Sequence, residues 1–290
     1  MLDFESIIQI PTPLEKIEED LFEDKGVEVY VKRDDLTHPL LSGNKFRKLK
    51  YNLLEAERQG IKRLLTFGGA YSNHLSAFAF ACRTFGFRGE AVVRGEELHA
   101  GSSPTLAFVH SQGVKLTFVS REAYRSKQVH VEEGCFVIPE GGSNRLAVKG
   151  VAELVAEIGP ADYLLTACGT GGTLAGLLAG ASADTRVLGV SVLKNGGFLE
   201  EEVAKLLSRP FPQEAKLLPD YHFGGYARWT AHLAEFIRGF EAKHGIRLEQ
   251  VYTGKMVYAF YDLLRRDFFR PGSRVVLLHT GGLQGRDTAL

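Results

Sequence analysis

The sequence predicts an α/β protein built on parallel sheets, and three observations carry that expectation. Short β-branched runs alternate along the chain with longer stretches of helical periodicity. Several of the short runs are nearly continuous in apolar residues, as strands are when helices cover both faces of their sheet. Two of them end in glycine-bearing turns that open directly into a helical pattern.

Taken in order, strands are expected at residues 27–32 (VEVYVK), 62–67 (KRLLTF), 90–95 (EAVVRG) and 114–120 (VKLTFVS). Further strands are expected at residues 162–167 (DYLLTA), 186–193 (RVLGVSVL) and 274–279 (RVVLLH). Between them Phe46, Leu49, Leu53 and Leu54 recur on one helical face, as do Leu75, Phe78, Ala79 and Cys82. Met256, Ala259, Phe260, Leu263 and Leu264 repeat the stripe near the C-terminus. Residues 99–104 (HAGSSP) and 208–216 (SRPFPQEAK) read as flexible connections, each too short to link domains. A chain of 290 residues suits two modest domains, which would then exchange segments by direct crossings.

Composition removes several function classes. The 35 basic and 35 acidic residues cancel, whereas a nucleic-acid-binding protein shows a basic excess or stripe. Cys82, Cys135 and Cys168 are too scattered for a zinc site or a disulfide framework, so no metal is expected and a reducing cytoplasm is. The N-terminal segment is acidic and lacks the basic start of a signal peptide. Residues 163–181 are long and apolar, but Gly169-Thr170-Gly171-Gly172-Thr173 would break a spanning helix. Strand, turn and helix is the better parse there, and no membrane is expected as a partner.

That turn is the first candidate site. Its glycines let several backbone N–H groups converge, and the helix that follows adds the positive end of its dipole, so Gly169, Thr170, Gly171, Gly172 and Thr173 form a phosphate cup. A dinucleotide would need G-x-G-x-x-G and an acidic residue about 20 positions on, and a nucleotide P-loop would need a lysine after the glycines. Neither is present, which favours a small cofactor with one phosphate.

The second candidate is Ser42-Gly43-Asn44-Lys45-Phe46-Arg47-Lys48. Gly43 and Asn44 start a helix, so Lys45 lies in its first turn, where the dipole opposes an ammonium and lowers its pKa. A lysine of that kind is suited to forming an imine. Lys48, on the same face, could reach a phosphate. The third is Gly68-Gly69-Ala70-Tyr71-Ser72-Asn73-His74, where Ser72, Asn73 and His74 bring hydrogen-bonding side chains to a helix start that could hold a carboxylate or a ring oxygen. The fourth comprises Tyr252-Thr253-Gly254-Lys255 and His279-Thr280-Gly281-Gly282, the latter just beyond a strand end.

Together these segments resemble the pyridoxal-phosphate (PLP) enzymes of fold type II, related to tryptophan synthase β. Within them the chain resembles the 1-aminocyclopropane-1-carboxylate (ACC) deaminase and D-cysteine desulfhydrase family. KRDDLTHPLLSGNKFRKL, GGAYSNH, PEGGSNRLAVKG, ACGTGGT, YHFGGYA, VYTGKM and LLHTGG carry the likeness, from Lys32 to Gly282. The chain is shorter than typical members, so a loop or helix at the site's rim is expected to be missing.

The resemblance implies two open, twisted, mainly parallel sheets flanked by helices, with PLP in the interdomain cleft. Residues 1–47 and 145–290 would form the larger domain and 48–144 the smaller α/β domain. It assigns Lys45 as the Schiff-base lysine, Lys48 as a phosphate contact, Asn73 as the partner of the ring oxygen and Gly169 to Thr173 as the cup. Ser72 would contact substrate and act as nucleophile or proton shuttle, with Tyr226 and Tyr252 lining the substrate side, and Thr253 or Thr280 would meet the ring nitrogen. A homodimer acting on a small amino acid is also implied.

Established ACC deaminases resemble Tyr-Glu-Gly-Lys where this chain has Thr253. A glutamate could keep the ring nitrogen protonated, which helps open a cyclopropane. A threonine makes a weaker sink, adequate for expelling a good leaving group from the β carbon. The sequence therefore favours α,β-elimination from D-cysteine or a similar D-amino acid over ACC ring opening. A catalytically silent PLP carrier is the non-enzyme alternative, disfavoured because it would need only the cup and an imine.

Overall fold

The structure is a computed structural model, and it describes residues 2–126 and 132–290. Two sheets organise it. The larger contains β1 (Leu14–Ile17), β2 (Glu28–Lys32), β7 (Tyr163–Cys168), β8 (Arg186–Ser191), β9 (Ala215–Leu218) and β10 (Arg274–Leu278), in the order β1-β2-β10-β7-β8-β9. The β1–β2 pair is antiparallel and the others are parallel. The smaller sheet, wholly parallel, runs β5-β4-β3-β6, from β3 (Arg63–Gly68), β4 (Arg88–Arg94), β5 (Lys115–Val119) and β6 (Cys135–Val137). All seven expected strands form. The expected α/β class, with two mainly parallel sheets flanked by helices, is the observed one.

Alternation along the central strands explains their continuous hydrophobicity. In β10, Val275 and Leu277 join one apolar core while Val276 and Leu278 join another on the opposite face. β7 divides likewise, with Tyr163 and Leu165 on one side and Leu164 and Cys168 on the other. The first core is closed by α9 (Ala231–His244) and α10 (Thr253–Arg265), the second by α6 (Arg145–Ile158), α7 (Gly172–Gly180) and α8 (Leu199–Leu207). α2 (Asn44–Arg58), α3 (Asn73–Phe85) and α4 (Pro104–Ser111) pack on the small sheet through a third core. The α3 and α10 stripes are buried throughout, and Phe46, Leu49 and Leu53 of the α2 stripe are too.

Three strands were not expected: β1, β6 and β9. Each is a sheet edge of four residues or fewer. β9 begins inside the stretch read as a flexible connection, which shortens that loop to residues 208–214. Residues 99–103 are the turn before α4, whose N-cap Ser103 accepts a hydrogen bond from Leu106 N, and Pro104 is the helix's first residue. The apolar run at 163–181 is β7, a turn and α7, and no helix among the described residues is long and apolar enough to cross a membrane.

One polar cluster fixes α2 against the large sheet. Arg47 bonds both carboxylate oxygens of Asp34 at 2.7 and 2.8 Å and both of Glu157 at 2.8 and 2.9 Å. Lys32 adds bonds to Glu157 at 2.7 Å and to the Thr12 carbonyl at 2.6 Å, and Thr12 Oγ1 donates to Asp34. Arg47, Lys32 and Asp34 are buried, so β2, α2 and α6 are joined by a paired ionic network at the helix end that carries Lys45.

Candidate active site

β3, β7 and β10 all end at one side of the molecule, and the turns after them face the start of α2 across a cavity of about 1390 Å3. Ligands collect at the carboxyl ends of parallel strands because the loops diverge there and helix N-termini point inward. Every predicted site residue lines this cavity except Gly172 and Thr253.

Gly43 allows Lys45 to reach it. Gly43 has φ +59°, and a Cβ there would lie 2.0 Å from the Thr280 carbonyl oxygen, so only glycine lets the start of α2 meet the β10 turn. Lys45 is the second residue of α2 and half-buried; its Nζ donates to Asn44 Oδ1 at 2.7 Å. Asn44 Nδ2 in turn donates to Thr173 Oγ1 at 2.8 Å, which ties the lysine to the glycine turn. Asn44 was read from sequence only as a helix starter, and its fixed place between lysine and cup is new. Burial pushes the Lys45 pKa down to about 8, opposed by the Glu249 carboxylate. The same force, joined by Lys45, pushes Lys48 down to about 7.

The cup itself starts α7. Gly171 is its N-cap at φ +79°, and no acidic residue lies in the first turn to repel an anion. Lys48 Nζ stands over it, 3.3 Å from the Gly141 carbonyl and 3.4 Å from Ser143 Oγ. Ser143 Oγ lies 2.6 Å from Thr170 Oγ1. A Cβ on Gly172 would lie 2.4 Å from Ser143 Oγ and 3.1 Å from Lys48 Nζ, so the ammonium and hydroxyls close directly on bare backbone. Ser143, which sequence reasoning missed, belongs to PEGGSNR, whose paired glycines and Ser-Asn are a usable signal.

Across the cavity Ser72 caps α3, its Oγ accepting from Leu75 N at 3.3 Å. Asn73 stands against the β10 turn, where a Cβ on Gly282 would lie 2.6 Å from its Nδ2. His74 is buried and in one tautomer. Thr66 Oγ1 donates to the Ile138 carbonyl at 2.8 Å, so it accepts from His74 Nε2 at 2.7 Å. His74 Nδ1 is left an acceptor without a hydrogen-bond partner among the described residues. Burial, with Lys45 and then Lys48 beside it, holds the ring's pKa down to about 3, so it is neutral.

Tyr226 and Tyr252 meet edge to face, with ring centroids 6.0 Å apart, and burial raises the pKa of both phenols. Tyr252 leans over Gly169, where a Cβ would be 3.1 Å from its Cε1. The two threonines separate cleanly. Thr280 lines the cavity, on a loop held by His279, whose Nδ1 accepts from Gly281 N while Nε2 donates to the Arg247 carbonyl. Thr253 is buried behind the wall, its Oγ1 donating to Glu249 at 3.1 Å. Glu249 also accepts from the backbone N–H groups of Val251, Tyr252 and Thr253. This carboxylate was missed, for a single glutamate in an irregular segment has no local signature.

The arrangement is a cationic, hydroxyl-lined cup beside a lysine of lowered pKa, with hydrogen-bonding groups placed around both. It fits a phosphorylated aldehyde: Lys48, Ser143, Thr170 and the turn's amides would hold the phosphate, and Lys45 the carbonyl carbon. Residues 6–281 match the family model described as pyridoxal-phosphate dependent enzyme. A putative ACC deaminase of Pyrococcus horikoshii is 32% identical, over 90% of this chain and 86% of its own. The bifunctional D-cysteine desulfhydrase/ACC deaminase of Arabidopsis thaliana is 30% identical, over 97% of this chain and 78% of its own. The solved structure of an ACC deaminase homologue superposes with a TM-score of 0.81 at 32% identity, covering 96% of this chain and 91% of that one.

Proposed function

As a member of the pyridoxal-phosphate dependent enzymes, the chain works with that cofactor, and we propose that it catalyses α,β-elimination from D-cysteine or a similar small D-amino acid. Such a reaction converts D-cysteine and water to a 2-oxo acid, ammonia and sulfide. PLP, when bound, supplies an electron sink for negative charge at the substrate's Cα.

The chain's own residues do the rest. Lys45 would hold the cofactor, and its amine, with a pKa pushed to about 8, takes and returns a proton at Cα near neutral pH. Ser72 and the N-terminus of α3 face the cavity where a substrate carboxylate gains from backbone donors. Tyr226, partly exposed at the cavity mouth, and Tyr252 have phenol pKa values pushed above the ordinary value, mainly by desolvation, and can donate to a departing group.

What supports elimination is the cavity wall formed by the β10 turn, which offers a threonine hydroxyl, Thr280, where a carboxylate would make a stronger sink. Thr253, the position compared with the ACC deaminase glutamate, is buried behind that wall and no longer carries the preference. Glu249, the buried carboxylate behind that wall, is already engaged by four donors and does not line the cavity. ACC deamination is the second reading, favoured by the names of the relatives from Pyrococcus and by a putative ACC deaminase of Thermotoga maritima at 33% identity.

Assays on D-cysteine, β-chloro-D-alanine and ACC separate the two. Sulfide and ammonia from D-cysteine support elimination. Robust 2-oxobutanoate from ACC without sulfide from D-cysteine would overturn it. Borohydride reduction and peptide mapping test the site itself, and a pyridoxyl adduct on any residue but Lys45 would refute the assignment. The proposal extends to a homodimer in a reducing cytoplasm, the former checked by sedimentation velocity.

A further inference from the structure

Tyr226 reaches the cavity from an irregular backbone. Phe223, Gly224, Gly225 and Ala227 have φ of 51°, 95°, 119° and 55°, so four of five consecutive residues lie in the left-handed region, two of them not glycine. Backbone of this kind persists where its surroundings impose it. Here α10 imposes it at three places. Lys255 Nζ donates to the carbonyls of His222 at 2.8 Å and Gly225 at 2.9 Å. Phe223 packs edge to face on Tyr258 at 5.0 Å, and Tyr221 Oη donates to Asp262 at 2.6 Å.

Lys255 is unlike the other two contacts. Its side chain is fully buried, and its hydrogen bonds go to carbonyls rather than to a carboxylate. A buried ammonium is costly unless its bonds are well made, so the two carbonyls are held close and in line with it. One of them, Gly225 O, belongs to the residue immediately before Tyr226. Lys255 also lies one helical turn beyond Tyr252, the N-cap of α10. A single helix therefore carries one tyrosine and grips the loop that carries the other.

We propose that Lys255 is a positioning residue that sets Tyr226 against Tyr252 on the substrate side of the cavity. The inference rests on the site reading given above, in which both phenols serve the substrate. Burial pushes the Lys255 pKa down to about 8, with Glu249 opposing. The other charged or titratable groups beside the clamp among the described residues include His222 and Tyr221 on the loop itself, Lys194 packed against Gly225, and Asp262 on α10. Arg228 is another; it packs on Gly224 and donates its backbone N–H to the Gly225 carbonyl at 3.1 Å. Raising the pH through 8 thus weakens the grip, because a neutral amine donates less strongly.

The test uses the PLP-loaded enzyme. Hydrogen-exchange protection of residues 221–227, corrected for the intrinsic pH dependence of exchange and measured without substrate, should fall at least tenfold in Lys255→Met relative to wild type, and fall in wild type between pH 7 and 9. In kinetics Lys255→Met should lower kcat/KM by about 10- to 100-fold with the visible spectrum of the bound cofactor unchanged. In a Tyr226→Phe background the same substitution should cost less than about twofold, since its effect runs through that hydroxyl. Lys255→Gln, a neutral donor, should recover part of the loss and serves if the methionine variant does not fold. Unchanged exchange in the loop, or an equal loss in the Tyr226→Phe background, would overturn the proposal. Wild-type enzyme inactive on every amino acid tested would defeat the function proposed above, while the exchange data would still decide the clamp.

Discussion

Two faces of the first turns of α2 treat positive charge in opposite ways. Arg47, pointing into the protein, meets two carboxylates with four hydrogen bonds, and Lys32 completes the cluster. Lys45 and Lys48, pointing into the cavity, bond to an amide oxygen, a carbonyl and a hydroxyl, with no salt-bridge partner among the described residues. On one face burial is opposed by counter-charge and the cation keeps its proton. On the other burial prevails, and both ammonium groups sit near their point of neutrality. The difference marks the functional face: charge left unmatched in a built cavity is ready for an anion and for proton exchange.

The largest effect expected from breaking this contrast is at Lys45. Lys45→Ala should lower turnover by about a thousandfold or more, because both the covalent attachment and the proton carrier at Cα are removed. Thermal stability of the cofactor-free protein should hold or rise, since a poorly matched buried cation has gone. Steady-state kinetics and a melting curve on the same preparation check both halves. A large drop in melting temperature with activity retained would reverse the assignment of the two faces.

Arg47→Met should do the opposite. It leaves Asp34 and Glu157 short of a partner, a loss of about 3–5 kcal/mol in a buried network, read by denaturant unfolding. In the fraction that remains folded, borohydride trapping should still mark Lys45. Trapping abolished in well-folded Arg47→Met protein would show that the network acts on the chemistry directly.

Lys48 comes next. Lys48→Met removes a charge-assisted contact to the phosphate of about 1.5–3 kcal/mol, so PLP affinity should fall by about 10- to 100-fold in spectroscopic titration. The group also predicts a pH trend in the cofactor-free protein. Its folded pKa, about 7, lies below the unfolded value of 10.5, so the unfolded chain binds more protons between those limits. Stability of the apo protein should therefore rise from pH 7 toward pH 10, with Lys45 contributing the same sign above about pH 8. The slope should shrink in Lys48→Met, and inorganic phosphate should flatten it in wild type by restoring counter-charge to the cup. A slope unaffected by either would remove Lys48 from the account.

This contrast also measures how far the sequence could be read. The central strands were legible because both their faces are buried and continuous apolar runs record that fact. The edges β1, β6 and β9 were not: a three- or four-residue strand such as Leu-Glu-Lys-Ile or Cys-Phe-Val has too little length and too few buried faces to stand out from a turn. At the site, Lys45, Lys48 and Gly169 to Thr173 were visible because helix starts and left-handed turns demand particular residues. Ser143 and Lys255 act across distances in the chain, such as the 33 residues between His222 and Lys255, while Glu249 bonds to its near neighbours, as a lone glutamate in an irregular segment that nothing in the sequence marks. The segment Lys32-Arg33-Asp34-Asp35 belongs to a family-like stretch, but its meeting with Arg47 and Glu157 is set by the fold.

The smallest expected effect concerns the two threonines, which the sequence offered as equals. Thr253 Oγ1 donates to the Glu249 carboxylate and accepts from Glu249 N at 3.0 Å. Thr253→Val should thus cost about 1–2 kcal/mol of stability through lost buried hydrogen bonds and leave the cofactor's absorption maximum in place. Thr280→Val, on the cavity wall, should change stability by less than about 0.5 kcal/mol, shift that maximum and lower kcat/KM several-fold. The same pair of atoms is exchanged in both variants, so the difference reports the surroundings alone. If Thr253→Val moved the spectrum and Thr280→Val did not, Thr253 would contact the ring after all. The carboxylate behind it would then regain influence on the electron sink, and ACC ring opening would become the stronger reading.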